Sequence, residues 1–146
     1  MDPLTASIEA NWPELLTLLD EVMQIASVKG EPGPHAPYGK GPREVLAYIM
    51  EKSAVYGFQT TVIDDAIGYA HWGPTDTDYI GVLGHLDVVP AGSGWSYPPF
   101  ALTEKDGNFY GRGILDNKGP IISCLFAMKL LKDLGHQPQL PLRIIF

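Results

Sequence analysis

The phrase VLGHLDVVPAGSGW, residues 82–95, ends an apolar run on His85 and Asp87 and then turns at once into Pro90, Gly92 and Gly94. An imidazole binds a divalent transition metal through a neutral ring nitrogen, and a carboxylate accepting the other ring N–H fixes the tautomer and tilt of the ring. Residues two apart in an extended segment face the same side. His85 therefore fits a ligand and Asp87 its orienting partner, with Leu86 turned to the core. A second phrase, YGRGILDNKGP over residues 110–120, sets Asp116 between a glycine pair and an apolar stretch. An unpaired carboxylate beside a buried helix is costly, and one whose oxygens face two ways can bridge two cations. The plain alternatives are a hydrogen-bonded structural His at a strand end and a helix N-cap for Asp116, although Asn117 or Lys118 stands nearer the expected helix start. One His and one Asp are an incomplete coordination set. The missing ligands must come from elsewhere.

Other chemistry-bearing patterns fail. GRGILD has Asp where a dinucleotide fingerprint needs its third Gly, and GILDNKGP does not match a phosphate-binding loop. There is no HExxH and no Gly-x-Ser-x-Gly. His35 sits in a Gly/Pro loop and His136 past a helix end, so both read as solvated. His71 alternates within a strand and reads as structural.

The elements that must position the two phrases follow from periodicity. Ile8, Trp12, Leu15, Leu16, Leu19, Val22, Met23 and Ile25 give a helix over residues 4–27, interrupted or restarted at Pro13. Residues 30–42 are crowded with Gly and Pro and make a loop. A second helix runs from Arg43 and stops at Gly57. Residues 58–63, 68–72 and 79–83 read as short strands divided by polar turns. Residues 100–104 and 109–110 form a hairpin around Asp106-Gly107. A third helix, apolar almost all round, begins near Pro120 and ends at Gly135. Cys124 lies on it as a core residue. LPLRIIF, residues 140–146, reads as a buried strand whose continuation is missing, an edge through which the chain is expected to associate. The alternation predicts an α/β fold, a mixed sheet flanked by helices, with residues 1–146 in one domain.

Composition narrows the partners. The chain has 146 residues and a net charge of -7, which argues against a nucleic acid or an anionic membrane surface. A single cysteine excludes a disulfide framework, and with no signal-peptide pattern at the start it points to the cytoplasm.

The paired phrases GHLDVVPAGSGW and YGRGILDNKGP resemble those of the co-catalytic zinc metallopeptidases that include carnosinases, aminoacylases and bacterial dipeptidases. Residues 37–58, PYGKGPREVLAYIMEKSAVYGF, resemble the entry region of the bacterial dipeptidase branch, peptidase V and its Xaa-His dipeptidase relatives. The resemblance implies that His85 is a ligand of one metal and Asp87 the catalytic-pocket aspartate that holds it. It implies that Asp116 bridges both metals and precedes a cis peptide to residue 117. It further implies two Zn²⁺ ions per intact site, with Mn²⁺ or Co²⁺ as substitutes, and dipeptide hydrolysis by a metal-activated water. Asn117 departs from relatives that often carry Asp there. The resemblance puts the general base and a second glutamate just after a strand like LRIIF, so residues 1–146 are expected to be the N-terminal portion of the catalytic domain, inactive alone. Later parts would bring the remaining ligands and a lid-like domain for homodimerisation. An N-acyl amino acid deacylase and a non-catalytic binding fragment are the competing readings.

Overall fold

The computed structural model describes residues 2–75 and 78–146. Helix α1 spans Pro3–Gln24 and is capped by Asp2, whose carboxylate accepts the Leu4 and Thr5 N–H groups at 3.0 and 3.1 Å. The break expected at Pro13 is absent. Pro13 lies in the exposed first half of the helix, where the carbonyl that loses its partner meets water. Full burial starts at Leu15 and continues through Leu18, Leu19, Val22 and Met23. The buried half carries the helix on through the proline.

Helix α2, Lys40–Val55, starts before the expected Arg43, because Pro42 falls in the first turn, where a missing N–H leaves nothing unpaired. It buries Val45, Leu46, Ile49 and Met50, and Gly57 follows its end at φ 80°, the left-handed conformation glycine adopts without strain.

Four strands form the main sheet: β1 Gln59–Ile63, β2 Ile67–Trp72, β3 Ile80–Leu83 and β6 Leu142–Ile145, in the order β1-β2-β6-β3. The pairing β3–β6 is parallel; β1–β2 and β2–β6 are antiparallel. The polar turn expected between β2 and β3 lies partly outside the described residues. β4 Thr103–Lys105 and β5 Asn108–Tyr110 make a separate hairpin through Asp106 and Gly107, both at positive φ. The position of β6 corrects one expectation. Its backbone is paired on both sides, Ala70 opposite Ile144 on one and Val82 on the other, so it is no edge. The edges are β1 and β3.

Helix α3, Lys118–Asp133, packs on β3 and β6, while α2 covers β1 and β2, and α1 lies against both helices. Its Ile121, Ile122, Leu125, Phe126 and Met128 are buried between α1 and the sheet. The expected mixed α/β arrangement is the one found, with the three helices gathered on one face. This stacking sets the start of α3 beside the carboxyl end of β3, where both phrases emerge.

Candidate metal centre

Beyond β3 the Gly84 N–H still bonds the Ile145 carbonyl at 3.0 Å, and Val88 pairs with Val28 in a parallel bridge. Ser27, fully buried, brackets Asp87. Its hydroxyl donates to the Leu86 carbonyl at 2.6 Å, and its own carbonyl accepts the Val88 N–H at 3.0 Å. With the backbone held on that side, Leu86 is buried and the side chains of His85 and Asp87 stay 47% and 61% exposed. The alternation read from the sequence is the one observed. Ser27→Ala would strand the buried Leu86 carbonyl, and we expect a loss of about 1–3 kcal/mol. A urea midpoint equal to wild type would show that this bond holds nothing.

Asp116 arrives from the other direction. Gly113 sits at φ 99°, and a Cβ there would lie 2.8 Å from Val88 Cγ1. Only glycine lets this turn approach the segment that carries Asp87. The Asp116–Asn117 peptide is cis, as the resemblance implied. Asn117 then occupies the N-cap position of α3 but makes no side-chain cap bond. Its Oδ1 instead accepts the backbone N–H of His85 at 3.2 Å, tying the two phrases together.

Beneath them Lys118 is fully buried. Its ammonium donates to the carbonyls of Val22 and Ile25 at 2.8 and 2.7 Å; the first is a group that the end of α1 would otherwise leave unpaired, and the second also accepts the Ser27 N–H at 2.8 Å. Burial pushes this ammonium down to about 8.

The three side chains singled out by the sequence meet. His85 Nε2 lies 3.1 Å from Asp116 Oδ1, and Nδ1 lies 3.1 Å from the Asp87 carbonyl and 3.3 Å from its carboxylate. Both ring nitrogens thus face oxygens that only accept. A neutral imidazole has one N–H to give. With that proton on Nδ1 toward Asp87, Nε2 and the Asp116 carboxylate present two lone pairs to each other, an arrangement a cation between them relieves. Nitrogen and oxygen ligands about 2.0–2.1 Å from a tetrahedral ion stand about 3.3 Å apart, close to the separation seen. The Asp116 side chain is 82% exposed, leaving its second oxygen open. The donor types and their spacing fit a divalent metal. The set is incomplete: among the described residues no group of three or more His, Cys, Asp or Glu is arranged to hold an ion.

The other histidines stay apart from the centre. His71 is buried and faces the Gly73 and Pro74 carbonyls through Nε2, and His35 is exposed and pairs with Asp65. Sequence reasoning missed Ser27 and Lys118 as supports, and placed Asn117 only at the expected helix start and at the cis peptide. Asn117 adjoins Asp116 and was within reach of inspection. The partners of Ser27 and Lys118 lie 59 and 96 residues away for the Leu86 and Val22 carbonyls, so no local pattern signals them.

Residues 81–146 match the model of peptidase family M20/M25/M40. The chain is 39% identical over 124 residues to YtjP of Bacillus subtilis, whose dipeptidase name is provisional, covering 84% of this chain and 27% of that protein. It is 34% identical over 134 residues to a beta-Ala-Xaa dipeptidase of Lactobacillus delbrueckii, covering 90% and 28%. Its fold superposes on human carnosine dipeptidase 1 with a TM-score of 0.84 at 26% identity, covering 97% of this chain and 33% of that one. The chain thus spans about a quarter to a third of the length of these proteins. No described helix is long and apolar enough to cross a membrane. Family model, sequence relatives and fold agree: the resemblance carried by the two phrases is to peptidase family M20/M25/M40 and, within it, to dipeptidases.

Proposed function

We propose that residues 1–146 are the N-terminal portion of the catalytic domain of a metal-dependent dipeptidase. His85 and Asp116 serve as metal ligands, and Asp87 holds the His85 ring. The observation that carries this reading is the 3.1 Å approach of His85 Nε2 to Asp116 Oδ1 while Nδ1 is engaged by Asp87. Zn²⁺ suits one imidazole and a carboxylate, with Mn²⁺ or Co²⁺ as substitutes. A divalent cation held there supplies Lewis acidity toward a carbonyl oxygen and makes water more acidic. This chain's own part is narrower. His85 and Asp116 present donors at the carboxyl end of β3, Asp87 keeps the Nε2 lone pair aimed outward, and the buried Leu86 prevents rotation of the segment.

The remaining ligands and the general base come, in this reading, from sequence following β6, whose end lies beside that of β3. A substrate of dipeptide size, a cytoplasmic setting and a homodimeric intact protein belong to the same reading. The acidic, single-cysteine composition and the likeness to dipeptidases support it. The decisive assay takes the intact protein, stripped by chelator and reloaded with Zn²⁺, Mn²⁺ or Co²⁺, against dipeptides and N-acyl amino acids. Chelator-sensitive dipeptide hydrolysis is expected. Cleavage of N-acyl amino acids alone would make it a deacylase, and no hydrolysis by metal-loaded protein would leave a binding role.

Asp87→Asn tests the orienting role separately. The amide oxygen accepts the ring N–H more weakly than a carboxylate does, and loss of such a partner typically lowers metal affinity or activity by about 10–100-fold. A variant with wild-type activity would remove Asp87 from the mechanism.

A further inference from the structure

The cleft beside the candidate centre is lined by His85, Asp87, Val89, Leu115 and Asp116, and by one fixed cation, Arg112. The Arg112 guanidinium does not turn toward these carboxylates. Its Nη2 donates to the Ala91 carbonyl at 3.2 Å, and its Cζ lies 5.1 Å from the centroid of the Trp95 ring. Trp95 Nε1 donates to the same Ala91 carbonyl at 2.8 Å, closing a small ring of contacts. The Arg112 backbone N–H bonds the Pro99 carbonyl at 2.7 Å, further along the same loop. Ala91 stands four residues after Asp87, and Arg112 four residues before Asp116.

Between Ala91 and Trp95 the loop itself is open. Gly92 and Gly94 are at positive φ with nothing within 4 Å of a Cβ built on either. On the other side, Gly111 and Gly113 flank Arg112; Tyr110 of the same turn packs on Tyr97 further along the loop, ring centroids 4.9 Å apart, while Arg112 carries the polar contact to Ala91. We propose that Arg112 is a positioning residue of the candidate centre: by clamping Ala91 and Trp95 it locks the loop leaving Asp87 to the turn entering Asp116, and so sets the spacing of His85 and Asp116. The planar guanidinium is needed for this, because it lies against the indole and donates in its own plane at the same time. A lysine ammonium is a point charge and cannot do both. The inference rests on the reading of His85 and Asp116 as metal ligands.

The test uses the intact protein as Arg112→Lys, Arg112→Leu, Trp95→Leu and the double variant Arg112→Leu/Trp95→Leu. Zn²⁺ affinity is measured by competition with a chromophoric chelator, alongside thermal melting of the metal-free protein. Arg112→Leu and Trp95→Leu are each expected to weaken Zn²⁺ binding by about 10-fold or more, with the metal-free melting temperature nearly unchanged. The double variant should be no weaker than the worse single one, since both remove one contact. Arg112→Lys should behave like Arg112→Leu, and it decides the matter should Arg112→Leu fail to fold. Wild-type affinity in Arg112→Lys, or additive losses in the double variant, would overturn the clamp alone. Absence of Zn²⁺ binding by the wild-type protein would instead overturn the metal reading and the clamp with it.

Discussion

Asp116→Ala in the intact protein is expected to lower chelator-sensitive dipeptide hydrolysis by about 10³-fold or more while leaving the fold in place. The two halves of this expectation have separate origins. The carboxylate is 82% exposed and, among the described residues, bonds His85 alone, so truncating it removes one solvent-facing contact. Surface changes of that kind usually stay within about 0.5 kcal/mol. Catalytically the loss is large, because Lewis-acid stabilisation is worth several kcal/mol and each ~1.4 kcal/mol is tenfold in rate. His85→Ala should follow it in direction, and the pair should be far from additive, since either change dismantles one site. Circular dichroism beside the rate measurement separates lost chemistry from lost folding. A folded Asp116→Ala protein within tenfold of wild-type activity would remove Asp116 from the site.

The second large effect concerns stability. Lys118→Ala is expected to destabilise by about 3–5 kcal/mol, a large share of the 5–15 kcal/mol typical of a domain. Three terms compete. The substitution leaves the Val22 carbonyl without its donor, at about 1–3 kcal/mol where water does not reach, and takes from the Ile25 carbonyl one of two, the Ser27 N–H remaining at 2.8 Å. It also opens a cavity among buried groups, since Lys118 is fully buried. Against these stands relief from holding an ammonium out of water, the same burial that pushes Lys118 down to about 8. The hydrogen bonds and the cavity win, because the ammonium already has two good acceptors. Lys118→Met keeps most of the volume and should recover part of the loss. A melting temperature of Lys118→Ala equal to wild type would mean the two carbonyls find water in its place. Because Lys118 lies two residues past Asp116, weaker metal affinity should accompany the lost stability.

Elements ruled by local rules were legible from the sequence. Helix α3 is apolar on most sides and was read as buried; Asp106-Gly107 was read as a tight turn and adopts positive φ at both positions. The convergence of His85 with Asp87 was also legible, because alternation in an extended segment is a property of the backbone itself. Boundaries slipped where two local rules conflicted. Pro13 argued for a break, yet burial from Leu15 onward outweighed one lost hydrogen bond.

How distant segments hold the site is settled by packing. The sequence carries the chemical inventory, an imidazole and two carboxylates at strand and helix ends, and the periodicities that build a mixed α/β layer. It could not determine that β6 enters between β2 and β3, since an apolar run reads alike in a central strand and at an edge. Nor could it determine that Ser27 brackets Asp87, that Asn117 turns from capping α3 to hold His85, or that Lys118 closes the end of α1. Each of these is a polar group satisfied by a partner that folding alone brings near. The physical reason is common to all: a buried donor or acceptor must be paired, but the sequence names only the need, and packing chooses the partner.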